Sequence, residues 1–170
     1  MRIYLAGPIK GKTYTEAVGW REYAAAELGR MGHITMSPMR GKEELAKYGP
    51  LNGSESDGSY PEFPLSSGHG LFRRDIFDVS MCDAILANLG DATELSLGTA
   101  MEIQRGYDLN KYVLTVLNKG SIHDHAFIHQ ASSLVVPTLA DALKYIEVVG
   151  APYTPQVYSG LRRSTMAMGN

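Results

Sequence analysis

The chain alternates short apolar runs with longer amphipathic segments from one end to the other, and this rhythm limits the folds open to it. Ile3 to Ala6 is an apolar run closed by Gly7-Pro8, the pattern of a buried strand. Tyr14 to Arg30 is rich in helix formers, with Val18, Ala25 and Leu28 interleaved with Arg21, Glu22 and Glu27, and Gly32 breaks it. His33 to Ser37 reads as a second strand, closed by Pro38. A helical face of Leu71, Phe72, Ile76 and Val79 follows, with Arg73, Arg74 and Asp78 on its other sides. Then come a strand over 84–89, a helix over 97–109, a strand over 112–117, a strand over 134–136 and a closing helix over 139–149. In that last helix Ala142, Leu143, Ile146 and Val149 are expected to face inward. Strands separated by helices imply a parallel sheet with right-handed crossovers. The expectation is an α/β fold: a three-layer, doubly wound, five-stranded parallel sheet in the order 2-1-3-4-5. Ligands of such sheets bind outside the carboxyl ends, at the switch point between strands 1 and 3.

Two stretches break the rhythm. Residues 48–70, rich in Gly, Ser and Pro, carry no periodic element. A loop of that length is either a lid or a passive surface insertion. Residues 150–170 read as an extended tail, leaving 1–149 as one domain with an insertion.

Composition excludes several roles. The net charge of −2 offers no basic surplus, so a nucleic-acid polymer is not an expected partner. The single cysteine, Cys82, lies in an apolar run and reads as a buried small residue. One cysteine allows no internal disulfide and fits a reducing compartment. No apolar stretch approaches the roughly 20 residues that span a bilayer, and Met1 to Ala6 is too short for a secretory apolar region. The expectation is a cytoplasmic protein without membrane contact.

The switch point directs attention to two loops. Gly7-Pro8-Ile9-Lys10-Gly11-Lys12 pairs two glycines with two lysines ahead of a helix; it is either a plain turn or a cradle for an anion. It lacks the spacing of a Walker loop. The second loop leads through Ser96, a good N-cap, and Gly98 into a helix carrying Glu102 between Met101 and Ile103. Glu102 either faces the crevice or is a solvated helix glutamate. Asp75 and Asp83 are further carboxylates near the same edge, each also readable as a salt-bridge partner or cap. Two carboxyl groups at one crevice suit glycosyl transfer, one attacking the anomeric carbon and the other handling the leaving group's proton. His123, His125 and His129 lack a zinc-like set of companions, so neither a metal nor another cofactor is expected. No Gly-x-Ser-x-Gly elbow occurs, and Cys82 has no evident histidine partner.

Taken in order, Ile3 to Gly11, Arg74-Asp75 with Asp83 eight residues on, and Ser96-Leu97-Gly98-Thr99-Ala100-Met101-Glu102 resemble the nucleoside 2-deoxyribosyltransferase superfamily, from about residue 1 to 149. The resemblance implies a flavodoxin-like fold and a glutamate nucleophile, matched by Glu102, that forms a glycosyl-enzyme at C1′. Tyr4 matches the tyrosine that holds the nucleophile. Asp75 matches the aspartate beside the base. Within that superfamily, nucleoside transferases carry an aspartate six residues before the nucleophile, and nucleoside 5′-monophosphate N-hydrolases carry a serine there, as this chain does in Ser96. A hydroxyl at a helix start suits a phosphate that a carboxylate would repel. Gly7, Ile9, Lys10 and Gly11, with Ser96 and Gly98, are thereby implied in phosphate binding. Ser132 and Ser133 resemble, loosely, the stretch that sends a serine into a neighbouring subunit's phosphate site, which implies a homodimer or higher homo-oligomer. The resemblance thus implies release of a free base from a small nucleotide. The alternatives are base exchange between deoxynucleosides, and a non-catalytic nucleotide sensor on the same fold.

Overall fold

The computed structural model describes residues 1–51 and 67–150. The core of the loop expected over 48–70, and all but Gly150 of the tail, lie outside the described residues. The flanks of that loop are ordered differently from the expectation. Leu51 is buried, and a helix starts at Gly68 rather than Leu71, capped by the Ser67 hydroxyl, which accepts from the Gly70 amide at 3.1 Å.

Five strands, β1 (Arg2–Ala6), β2 (Ile34–Met36), β3 (Ala84–Asn88), β4 (Tyr112–Val116) and β5 (Leu134–Val136), form one sheet in the order β2-β1-β3-β4-β5. Every pairing is parallel. The helices are α1 (Tyr14–Arg30), α2 (Gly68–Met81), α3 (Leu97–Asp108), α4 (Ala126–Ala131) and α5 (Leu139–Val149), and a 3-10 turn covers Glu43–Lys47. None of them is long and apolar enough to cross a membrane, among the described residues.

Successive residues of a strand face opposite sides, which sorts the core into two layers. Ile3, Leu5 and Leu86 pack with Ala24 and Leu28 of α1 and with Ala142, Leu143 and Ile146 of α5. Tyr4, Ala6, Ile85 and Ala87 pack with Val79 of α2, Ile103 of α3 and Ile128 of α4. The phase of β1 therefore decides that Tyr4 faces the α2–α3 side.

Three helix faces differ from the apolar pattern. Arg21 is buried on α1 because its guanidinium finds three backbone carbonyls. On α2, Asp78 is buried at 1% exposure while Phe72 is 49% exposed, because Arg40 forms a two-pronged ion pair with Asp78. Val149, in the final turn of α5, is half exposed. The helix α4 carries too few turns to show a period and is legible only in the structure.

Helix α3 lies unusually close to the sheet at Gly106, where an added Cβ would press on the side chains of Ile85 and Val113. Glu102 sits one turn before this contact. A valine at Gly106 should overpack the interface and cost about 1–3 kcal/mol. Urea unfolding of Gly106→Val against wild type measures it, and an unchanged midpoint would show that α3 yields freely at this point.

Candidate active site

Tyr4 and Glu102 meet at the carboxyl half of the sheet. The Tyr4 hydroxyl donates to Glu102 Oε1 at 2.7 Å, and the carboxyl is only 9% exposed. Burial is the main reason that the Glu102 pKa is pushed up to about 8. The tyrosine bond opposes this shift, Asp75 adds to it, and the positive charges of Arg21 and Lys42 oppose it. Tyr4 is itself held well above its ordinary range, first by burial and then by Glu102 and Asp75, so it stays protonated and remains a donor.

Asp75 stands on α2, across from Glu102. Burial raises its carboxyl above the usual range, against the pull of Lys42 and of Arg74, whose guanidinium lies 3.3 Å from it. Arg74 also donates to the carbonyl oxygens of Pro38 and Arg40, fastening the segment after β2 onto α2. Two carboxyl groups with raised pKa values, the charge of Asp75 acting on Glu102, are the arrangement that can supply a nucleophile and a proton carrier in one place.

Beneath them, Arg21 donates from Nε to the Leu5 carbonyl at 3.1 Å, from Nη2 to the Gly7 carbonyl at 2.7 Å, and to the Ala17 carbonyl, while lying over the Trp20 ring. Its burial lowers its pKa to about 10, so it remains a cation that partly offsets Glu102. Arg21, Lys42 and Arg40 are residues around the site that the sequence pattern did not reveal, and Arg74 stood in the family pattern beside Asp75 without a role of its own. The signal available was faint: a Gly between Arg40 and Lys42, immediately after a strand.

The first loop is built differently from an open cradle. The Gly11 amide donates to the Leu51 carbonyl, the Leu51 amide donates to the Lys12 carbonyl, both at 2.8 Å, and the Lys12 amide bonds to Ile9. Gly11 has φ +78° and lies beside the Glu94 carboxylate. Gly7 is held by packing, since a Cβ there would meet Trp20 and the Asn88 carbonyl. Lys10 is exposed and Ile9 is partly buried against the cluster of Ala17, Met39 and Leu51.

Ser96 caps α3 by position, but its hydroxyl bonds to the Thr99 hydroxyl at 2.8 Å rather than to a helix amide. The first-turn amides, including that of Gly98, have no intrahelical acceptor. The Ser96 amide donates to His123 Nε2 at 2.8 Å, so this buried histidine, whose pKa burial lowers, carries its proton on Nδ1. The other two histidines are accounted for locally: His125 caps α4 and His129 pairs with Asp124. Asp83 lies outside the site, paired with Arg2. Ser132 and Ser133 are not brought to Glu102 within the chain. Their hydroxyls bond to Thr115 and to the Val113 amide, and both line a polar cleft of about 760 Å³ at the amino ends of β3, β4 and β5.

The site thus lies at the switch point of a doubly wound parallel sheet, with a glutamate held by a tyrosine of the first strand. The chain belongs to the nucleoside 2-deoxyribosyltransferase family, which it matches over residues 3–132. No curated protein sequence matches it. Solved structures with the same fold include the CMP N-glycosidase BcmB of Clostridium botulinum, at 16% identity and a TM-score of 0.51, covering 87% of this chain and 99% of that one. A 2-desoxiribosyltransferase of Leishmania mexicana is similar at 18% identity and a TM-score of 0.57, covering 86% and 97%. A conserved protein of Enterococcus faecalis V583 is similar at 15% identity and a TM-score of 0.58, covering 88% and 98%.

The raised Glu102 pKa has a measurable consequence for stability. The folded protein holds the Glu102 proton up to about pH 8, whereas an unfolded glutamate releases it near 4.5. Folding therefore takes up a proton in that window, and stability falls as pH rises through it. Glu102→Gln removes the titration, so its melting-temperature advantage over wild type should grow from pH 5 to pH 9. An advantage that is constant with pH would show that Glu102 ionises normally.

Proposed function

We propose that this protein cleaves the N-glycosidic bond of a nucleoside 5′-monophosphate, with Glu102 as nucleophile. The observation that carries the proposal is the buried Tyr4–Glu102 hydrogen bond with Asp75 acting on the same carboxyl group. Glu102 attacks C1′ in its ionised form, whose share grows as pH rises toward 8, and the C1′–N bond breaks with its electron pair going to the base. Asp75, able to hold a proton at higher pH than an ordinary aspartate, supplies it to the base. Water then attacks C1′ of the glycosyl ester, giving its proton to the Asp75 carboxylate, and Glu102 is released. Tyr4 keeps one carboxylate oxygen fixed, so the other is aimed at carbon. Support for a phosphate comes from Ser96 and the uncapped start of α3, where backbone donors and the helix dipole favour an anion.

A second reading, base exchange on unphosphorylated nucleosides, is favoured by one observation. The amides of Gly11 and Lys12 are already used, and the Glu94 carboxylate lies close to Gly11, where it would repel a phosphate and accept from a free 5′-hydroxyl.

The test is release of free base from a panel of nucleosides and 5′-monophosphates, with and without an acceptor base. Glu102→Ala should lower turnover on the order of 10³-fold or more while the protein stays folded. Near-normal turnover would remove Glu102 from the mechanism and leave a binding protein. Ser96→Asp should shift kcat/KM from monophosphate toward nucleoside by about tenfold or more, the value of one charge-assisted bond. A wild type that already prefers the nucleoside gives the second reading the lead.

A further inference from the structure

Lys42 is a buried charge that the mechanism above does not use. It follows Gly41, whose φ of +69° turns the chain, and leads into the 3-10 turn. This turn is fastened to α2 on either side of Asp75: Arg74 holds the carbonyls of Pro38 and Arg40, and Arg40 clamps Asp78. The fastening sets Lys42 against the turn of α2 that presents Asp75. The lysine is 2% exposed. Among the described residues no carboxylate lies within ion-pair distance of its ammonium, and no acceptor lies within hydrogen-bond distance. Its charge acts on Asp75, beside that of Arg74, which touches the carboxyl, and it also reaches Glu102. Burial draws its pKa down to about 8, which leaves it largely protonated at neutral pH.

Among the described residues the three donors of this ammonium have no acceptor, and a lysine held on so little exposed surface gains from one. The arrangement makes chemical sense if the missing acceptor arrives with the substrate. The group that needs a cation next to the proton carrier is the departing base, which takes the electron pair of the C1′–N bond. We propose that Lys42 is a further catalytic residue, its ammonium donating a hydrogen bond to an acceptor atom on the leaving base and offsetting the negative charge that builds there. This inference rests on the N-glycosidic reading of the site. The acceptor required lies beside the glycosidic nitrogen: a carbonyl oxygen in a pyrimidine, a ring nitrogen in a purine. The step is balanced without consuming Lys42. The bond from Glu102 to C1′ forms as the C1′–N bond breaks, Asp75 passes its proton to the base, and Lys42 keeps all three of its own.

A pair of substrates with different leaving charges tests this. An unmodified base departs with developing negative charge, whereas an N7-methylated purine departs as a neutral molecule and needs no cation. Lys42→Met should lower kcat/KM about 100-fold for the unmodified substrate and less than about tenfold for the N7-methylated one, in the range of a lost charge-stabilising donor. Removing an unpaired buried charge should leave the melting temperature equal to or above that of wild type. If Lys42→Met does not fold, Lys42→Gln measured on the same two substrates carries the test. Equal losses on both substrates, or no loss on either, would overturn the proposal while base release by wild type keeps the underlying reading intact. A wild type that releases no base from any substrate removes that reading and the proposal together.

Discussion

The Tyr4–Glu102 hydrogen bond joins the first strand to the third major helix across 98 residues of sequence. It exists only because three independent conditions coincide. The phase of β1 must point Tyr4 toward the α2–α3 layer, β3 must pair with β1 so that α3 starts beside it, and α3 must lie close enough to the sheet at Gly106 to bring its glutamate down. An error of one residue in the β1 phase would turn Tyr4 to the opposite layer and leave the carboxyl buried without a donor. The geometry of the site is thus a direct product of sheet registry rather than of local loop structure.

Charge balance is the second constraint. Two carboxyl groups whose pKa values burial raises stand near each other, and the positive charges around them draw those values back down. The compensation is distributed over three segments: Arg21 on α1, Arg40 and Lys42 after β2, and Arg74 on α2. Arg21 is fully used by backbone carbonyls and acts through its field alone, and Arg74 and Arg40 are tied to Asp75 and Asp78. Lys42 differs because, among the described residues, its ammonium has no partner of its own and its neighbours hold it in place.

The fold was legible because its signals are local and repeated: short apolar runs at β1 and β3, helix formers with an apolar face over α1, and breaks at Gly7-Pro8 and Gly32. Tyr4, Asp75 and Glu102 were legible through their order and spacing in a family pattern, and the structure sets them together. The basic residues were not, because no periodicity distinguishes a buried arginine from a solvated one. Arg21 reads as the polar side of an amphipathic helix until the carbonyls of Leu5, Gly7 and Ala17 are placed around it. The loop from Gly7 to Lys12 shows the opposite problem. Its glycines and lysines promise an open anion cradle, yet pairing with Leu51, more than forty residues away in sequence, takes up the Gly11 amide.

That pairing with Leu51 has an architectural meaning. Leu51 accepts from the Gly11 amide and donates to the Lys12 carbonyl, a short two-stranded clasp on the first loop, and on the far side Ser67 is fixed as the cap of α2. Leu51 and Ser67, the described residues on either side of 52–66, are thus two posts that belong to the scaffold. Each post also touches a site element, the loop after β1 at one and the Asp75 helix at the other. Glu102, its tyrosine and the Arg21 counter-charge are anchored by the sheet and its helices. The clasp therefore ties the position of the first loop to the same scaffold that carries the carboxyl pair.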